Sequence, residues 1–102
     1  MSFRHGQFIY SPQIHHRVAQ LNDMAYAQFV NVCLFRHLGE DFGTVDDFEK
    51  QANLNAIESG DEQIMSSYLS QELRVKLWII TDAGRNSTLI TTPEEFQKGK
   101  LL

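Results

Sequence analysis

Leu73-Arg74-Val75-Lys76-Leu77-Trp78-Ile79-Ile80-Thr81-Asp82-Ala83-Gly84-Arg85-Asn86-Ser87-Thr88-Leu89-Ile90-Thr91-Thr92-Pro93 is the stretch whose reading decides the fold. Leu73, Val75, Leu77 and Ile79 alternate with Arg74, Lys76, Trp78 and Ile80, the repeat of two that marks a strand with distinct faces. Ala83-Gly84-Arg85-Asn86 supplies a turn, and Ser87 to Thr92 is short and rich in β-branched residues before Pro93 stops it. Strand, turn and strand at this spacing predict a β-hairpin with a loop of about four or five residues. Upstream, Ile64 to Leu69 reads as a further strand, so the C-terminal half is a small antiparallel meander. Glu94-Glu95-Phe96 reads as a last helical turn, and residues 96–102, including Gln97-Lys98-Gly99-Lys100, as a frayed tail.

The N-terminal half changes period. Gln7-Phe8-Ile9-Tyr10 is a short apolar run that can join the sheet as a first strand. Ser11 and Pro12 suit the cap and first position of a helix over 12–21, with Ile14, Val18 and Leu21 at helical spacing. Asn22-Asp23 interrupts it and caps a second helix over 23–37. There Tyr26, Phe29, Val30, Cys33, Leu34 and His37 form one apolar stripe, and Gly39 is its stop. A third helix opens at Gly43-Thr44 with Thr44 as cap and Asp47 completing a capping-box variant, buries Val45, Phe48, Ala52 and Ala56, and ends at Ser59-Gly60. The expected fold is therefore one α+β domain over 1–102. N-terminal helices pack on a small antiparallel sheet of three to four strands that ends in a C-terminal β-hairpin.

With 102 residues the chain is long enough for a single core, and 42% hydrophobic with 22% charged residues is a globular composition. Its one cysteine, Cys33, forms no intramolecular disulfide. No apolar run approaches the ~20 residues of a membrane span. Met1-Ser2-Phe3-Arg4-His5-Gly6 lacks the apolar stretch of a signal peptide, and a cytoplasmic protein is the expectation. The net charge of −4 is uneven: residues 38–72 hold nine acids and one Lys, between two flanks of positive balance. An acidic total argues against general nucleic-acid binding.

Catalytic constellations are sparse. His15 and His16 are neighbours, so on a helix they diverge by about 100° and do not chelate one metal. Cys33 and His37 share a face, but packing on the apolar stripe explains them without a metal. Glu40, Asp41, Asp46 and Asp47 begin the acidic segment. Capping and dipole complementation account for part of it, and a negative surface that occupies a basic groove on a partner is the functional alternative. Nucleophile-elbow, phosphate-loop and dinucleotide fingerprints are missing, and Ser66-Ser67 has no base beside it in sequence. No cofactor or metal is implied. The residues favour a non-enzymatic reading.

The most informative face is that of Arg74, Lys76, Trp78 and Ile80. If Leu73, Val75, Leu77 and Ile79 face the helices, an exposed Trp and Ile flanked by long bases has the composition of a protein-binding hot spot. Coverage of Trp78 by the segment around Phe96 or by the first strand is the competing arrangement, and homodimerisation through the Trp78 face a competing use. Arg85 at the hairpin tip is a candidate anchor for an anionic partner.

The run from Lys76 to Thr88 and on to Pro93-Glu94-Glu95-Phe96 resembles a pattern of small uncharacterised proteins of bacterial plasmids and other mobile elements. There, K-x-W-I-I-T-E-A-D-R-S is followed by T, an apolar stretch and P-E-E-Y. Gly39-Glu40-Asp41-Phe42-Gly43 is similar to that family's G-D-W-G. Asn53, Gly60 and Ser66-Ser67-Tyr68 fall where it has N, G and S-x-Y, and Gly6-Gln7 to Ser11-Pro12 match more loosely. Phe42 replaces a Trp, and Gly84 stands where the pattern has an Asp before the Arg, which leaves Asp82 as the nearby acid. The resemblance implies no activity or catalytic residues. It implies a mobile-element accessory gene.

Together these readings lead to an expectation: a protein-binding inhibitor of a bacterial defence system, anti-CRISPR or anti-restriction. It would block a nucleic-acid-binding or assembly surface of a protein target, with no direct contact to nucleic acid or membrane. The alternatives are a small enzyme or ligand binder using Asp82, Arg85 and the 41–47 loop, and a DNA-binding regulator built on the first two helices.

Overall fold

In the computed structural model, which describes residues 3–99, the alternating stretch becomes two adjacent strands. They are β3 (Val75–Thr81) and β4 (Ser87–Thr91), antiparallel with Ile79 opposite Ile90 and Thr81 opposite Thr88. The strand β2 (Ile64–Ser70) flanks β3 on its other side, antiparallel, with Tyr68 opposite Leu77. The first strand, β1 (Gln7–Tyr10), does join the sheet, but parallel to β4, with Phe8 opposite Thr88. The order is β1-β4-β3-β2, so the fold is α+β with a mixed sheet rather than an antiparallel one. Nor does the chain end at β4: a short helix, α4 (Pro93–Lys98), follows and takes in residues read as frayed tail, while Lys100–Leu102 lie outside the described residues.

The parallel strand is seated by close backbone approach. Gly6 has φ +63°, and a Cβ there would lie 2.2 Å from the Asn86 carbonyl carbon. Only glycine lets the chain enter β1 against the β3–β4 loop. Helix α1 (Pro12–His15) then widens into a five-residue π-helical segment, His16–Gln20, in place of one continuous α-helix. Its bond from Leu21 N–H to the His16 carbonyl is 3.0 Å.

Helix α2 (Met24–Leu38) follows its sequence pattern closely. The Asp23 side chain caps it by accepting from Tyr26 N–H at 3.0 Å, and Gly39 is its C-cap. Tyr26, Val30, Cys33 and Leu34 pack with Ile14 against Tyr68, Leu77, Ile79 and Ile90, and this is the main core. Helix α3 (Asp47–Ser59) departs from expectation in two ways. Its cap is Asp46, not Thr44, and accepts from Glu49 N–H at 2.8 Å. Thr44 is used elsewhere: residues 42–44 run alongside β2, with Thr44 N–H donating to the Ser67 carbonyl at 2.7 Å. Gly43 makes this approach feasible, since a Cβ there would sit 2.0 Å from the Ser67 carbonyl oxygen.

The second departure is the face that α3 buries. Phe48 is 82% exposed and Ala52 is exposed too; Ala56 is buried as expected, and Asn53 turns inward beside it. Ala56 joins Phe3, Phe42 and Ile64 in a second, smaller core. Asn53 is buried because its carboxamide reads the outer edge of β2 as a strand would. Its Nδ2 donates to the Met65 carbonyl at 2.7 Å, and its Oδ1 accepts from Met65 N–H at 3.0 Å. Together with residues 42–44 it closes an edge that would otherwise carry unpaired main-chain groups. Asn53→Ala removes the partners of both Met65 main-chain groups, the N–H and the C=O. It is expected to cost about 2 kcal/mol, read as a lower urea midpoint with an unchanged slope.

Candidate functional site

Alternation along β3 puts Lys76, Trp78 and Ile80 on the outer face of the sheet, away from α2. That face is not left bare. Thr92 caps α4 by accepting from Glu95 N–H at 3.2 Å, and α4 lays Phe96 against Trp78, with ring centroids 5.8 Å apart and planes at 68°. Trp78 is therefore half-buried and Ile80 is 7% exposed, while Arg74 and Lys76 remain exposed beside them. Arg74 and Lys76 also line a groove of about 490 Å³, together with Arg17, Tyr26 and Glu94. Arg17 lies 4.1 Å over the Tyr26 ring and donates to Asp23 at 2.8 Å. Strand β3 thus carries one member of the aromatic pair and a base that lines the groove, with Arg74 just before it.

Other residues singled out from sequence are placed differently. Arg85 does not project from the hairpin tip. It is 8% exposed and has φ +60°, and its guanidinium donates to the carbonyls of Glu62 at 2.6 Å, Asp82 at 2.9 Å and Ala56 at 2.9 Å. It ties the end of α3 to the β3–β4 loop and is closed to an anionic partner. No carboxylate serves it among the described residues. Asp82 shapes the same loop, its carboxylate accepting from Asn86 N–H at 2.8 Å. The 41–47 segment is occupied with β2, and the Asp82 and Arg85 side chains with the loop.

Among the acids, Asp46 is the α3 cap and Asp47 stands in the first turn. Asp41 takes a two-point bond from Arg36, at 2.8 and 3.2 Å, which holds its carboxyl below the usual range, and Arg36 in turn covers the Tyr68 ring. Glu40 is half-buried, with φ +66°. Glu95, which sequence reading treated only as part of a helical turn, is buried. Its carboxylate accepts from Ser11 Oγ at 2.6 Å and from Gln13 N–H at 3.0 Å, serving the start of α1.

The structure also brings together a group that spacing along the chain could not reveal. His37 Nδ1 meets Ser66 Oγ, and His37 Nε2 lies 2.9 Å from Thr81 Oγ1. Thr81 Oγ1 is 2.8 Å from Thr88 Oγ1, and Thr88 donates to the His5 carbonyl at 2.7 Å. Ser66 beside His37 has the outline of a nucleophile and base, but both are fully buried and Phe3 packs edge-on against the imidazole. No substrate reaches them. Cys33 on the same stripe is pushed up to about 12 by burial, so its thiol stays protonated. Among the described residues no three His, Cys, Asp or Glu side chains converge as a metal site would require, and no helix is long and apolar enough to cross a membrane.

No protein-family model, curated protein or solved structure matches the chain.

Desolvation lowers the His37 imidazole from 6.5 to about 4. The unfolded chain therefore takes up a proton below pH 6.5 that the native ring refuses. Stability is complete above that pH, falls as pH drops toward about 4, and loses about 3 kcal/mol from this group across the window. Urea midpoints measured at successive pH values check this. His37→Gln, which retains hydrogen-bonding capacity without a titrating ring, flattens that part of the profile.

Proposed function

We propose that this chain is a non-enzymatic binding protein of a mobile element that inhibits a bacterial defence system, CRISPR–Cas or restriction, by occupying an assembly surface of one of its proteins. The observation that carries the reading is the Trp78–Phe96 pair on the outer sheet face, with Arg74 and Lys76 exposed beside it. Rigid aromatic area flanked by long bases is what recurrent interface centres are made of. The mobile-element setting rests on the resemblance of residues 76–96, and the target's chemistry follows from the surface. Exposed bases ask for an acidic or carbonyl-rich face on the partner.

Two features support a binding surface over chemistry. The residues of the shared pattern that look most chemical, Arg85, Asp82 and Glu95, are used in building loops and helix starts. The acids best placed for nucleic-acid mimicry, Asp41 and Asp46, are partly spent on Arg36 and on the α3 cap. That favours the Trp78 surface over the acidic segment as the contact.

A plasmid-transfer assay in hosts carrying defined CRISPR–Cas or restriction systems tests the proposal. Expression of the chain is expected to raise transfer into at least one host. Lys76→Glu, which leaves the aromatic pair packed, and Trp78→Ala should each lower that protection at least tenfold. Asp47→Arg with Glu58→Arg, which spares the cap and the cavity beside Trp78, should retain it. Failure of the wild type to protect in any host contradicts the reading. Loss with the α3 pair alone transfers the contact to the acidic face.

A further inference from the structure

The two edges of the sheet are treated very differently. At β2, Asn53 and residues 42–44 satisfy the outward main-chain groups of Met65 and Ser67. At β1 nothing among the described residues does so. Gln7 and Ser11 aim their N–H groups inward, at the carbonyls of Asn86 (3.1 Å) and Ile90 (2.9 Å). By the alternation of a strand, Phe8 and Tyr10 present theirs outward. This open edge has none of the usual protections: no Lys, no Pro and no bulge within Gln7–Tyr10. Its side chains are apolar and exposed, Phe8 at 39%, Ile9 at 46% and Tyr10 at 39%.

We propose that β1 is a dimerisation strand: two copies of the chain pair their β1 edges antiparallel about Ile9, joining two four-stranded sheets into one. The register centred on Ile9 engages the outward N–H and C=O groups of both Phe8 and Tyr10 at once. Phe8 faces the partner copy's Tyr10 as a hydrogen-bonded pair on each side of the two-fold axis, and the two Ile9 residues meet as the non-hydrogen-bonded pair between them. The side chains agree with the main chain. Tyr10 borders an apolar groove of about 280 Å³ lined by Ile14, Val18, Ala27 and Val30. Cross-strand partners share a face, so the second copy's Phe8, opposite Tyr10, arrives over that groove.

Charge decides for a second copy over a charged partner. Self-pairing brings like surface against like, and Gln7–Tyr10 carries no charge. The acidic 38–72 segment packs through α3 and residues 42–44 on β2, at the opposite edge of the sheet, so the joined dimer keeps its two negative segments far apart. The Trp78 surface stays free in this assembly. The proposal therefore does not depend on the function proposed above, and it differs from self-association through Trp78.

Ile9→Cys with gentle oxidation tests it. Facing residues of a non-hydrogen-bonded antiparallel pair stand about 4.5 Å apart at Cα, within the ~4.4–6.8 Å that a disulfide spans. Buried Cys33 does not compete. The expected result is a covalent dimer of Ile9→Cys. With it, light scattering should give a wild-type mass that doubles with concentration, and association should weaken at least tenfold in Phe8→Lys but not in Trp78→Ala. A wild-type chain that stays monomeric at every concentration overturns the proposal. So does a dimer that Trp78→Ala dissolves while Ile9→Cys fails to cross-link.

Discussion

A carbonyl group at the start of the chain orders the polar interior of this protein. The His5 carbonyl can only accept, so Thr88 must donate to it. A hydroxyl has one proton, so Thr81 must then donate to Thr88, and His37 Nε2 must donate to Thr81. That leaves Nδ1 as an acceptor for Ser66. The direction of every bond follows from its neighbour, and the result is a neutral imidazole with its proton on Nε2. Each member belongs to a different segment: the N-terminal stretch, β4, β3, α2 and β2. Displacing any one leaves a buried hydroxyl or ring nitrogen unpaired, a far larger penalty than the modest net gain of making the bond. Helix α2 and all three antiparallel strands are therefore held in one register, and among the described residues no buried polar side-chain atom lacks a partner.

The same principle accounts for several other residues singled out from the sequence. Gly6 and Gly43 permit close backbone approach, Asn53 closes the β2 edge, Arg85 gathers three carbonyls, and Glu95 serves the start of α1. A pattern that reads like chemistry is largely a description of how this fold joins its segments. The side chains left over, Arg74, Lys76 and the Trp78–Phe96 pair, have no such duty, which is why interaction with a partner is assigned to them.

Local signals were legible where side-chain period alone decides. The alternation at 73–80 and the stripe from Tyr26 to His37 led to β3 and α2 nearly residue for residue. What was not legible depends on contacts distant in the chain. The parallel pairing of β1 with β4 joins residues about eighty positions apart. Thr44 and Asp46 are both good caps, and only the attraction of residues 42–44 to β2 selects Asp46. The buried face of α3 was misread because apolar spacing points to Phe48 and Ala52, whereas the carboxamide of Asn53 is buried to satisfy a strand edge. At the candidate site, the exposure of Arg74 and Lys76 beside Trp78 was legible. The inward turn of Arg85 was not, because its attraction comes from the carbonyl-rich end of α3, twenty-nine positions upstream.

The central claim is the protonation state of His37. Long-range nitrogen–proton correlation spectra of the imidazoles, followed from neutral pH down through acid, read it directly. The His37 ring is expected as the Nε2–H tautomer, neutral from pH 7 to near its lowered value of about 4. A His37 ring protonated on Nδ1, or one that titrates near 6.5, would contradict it.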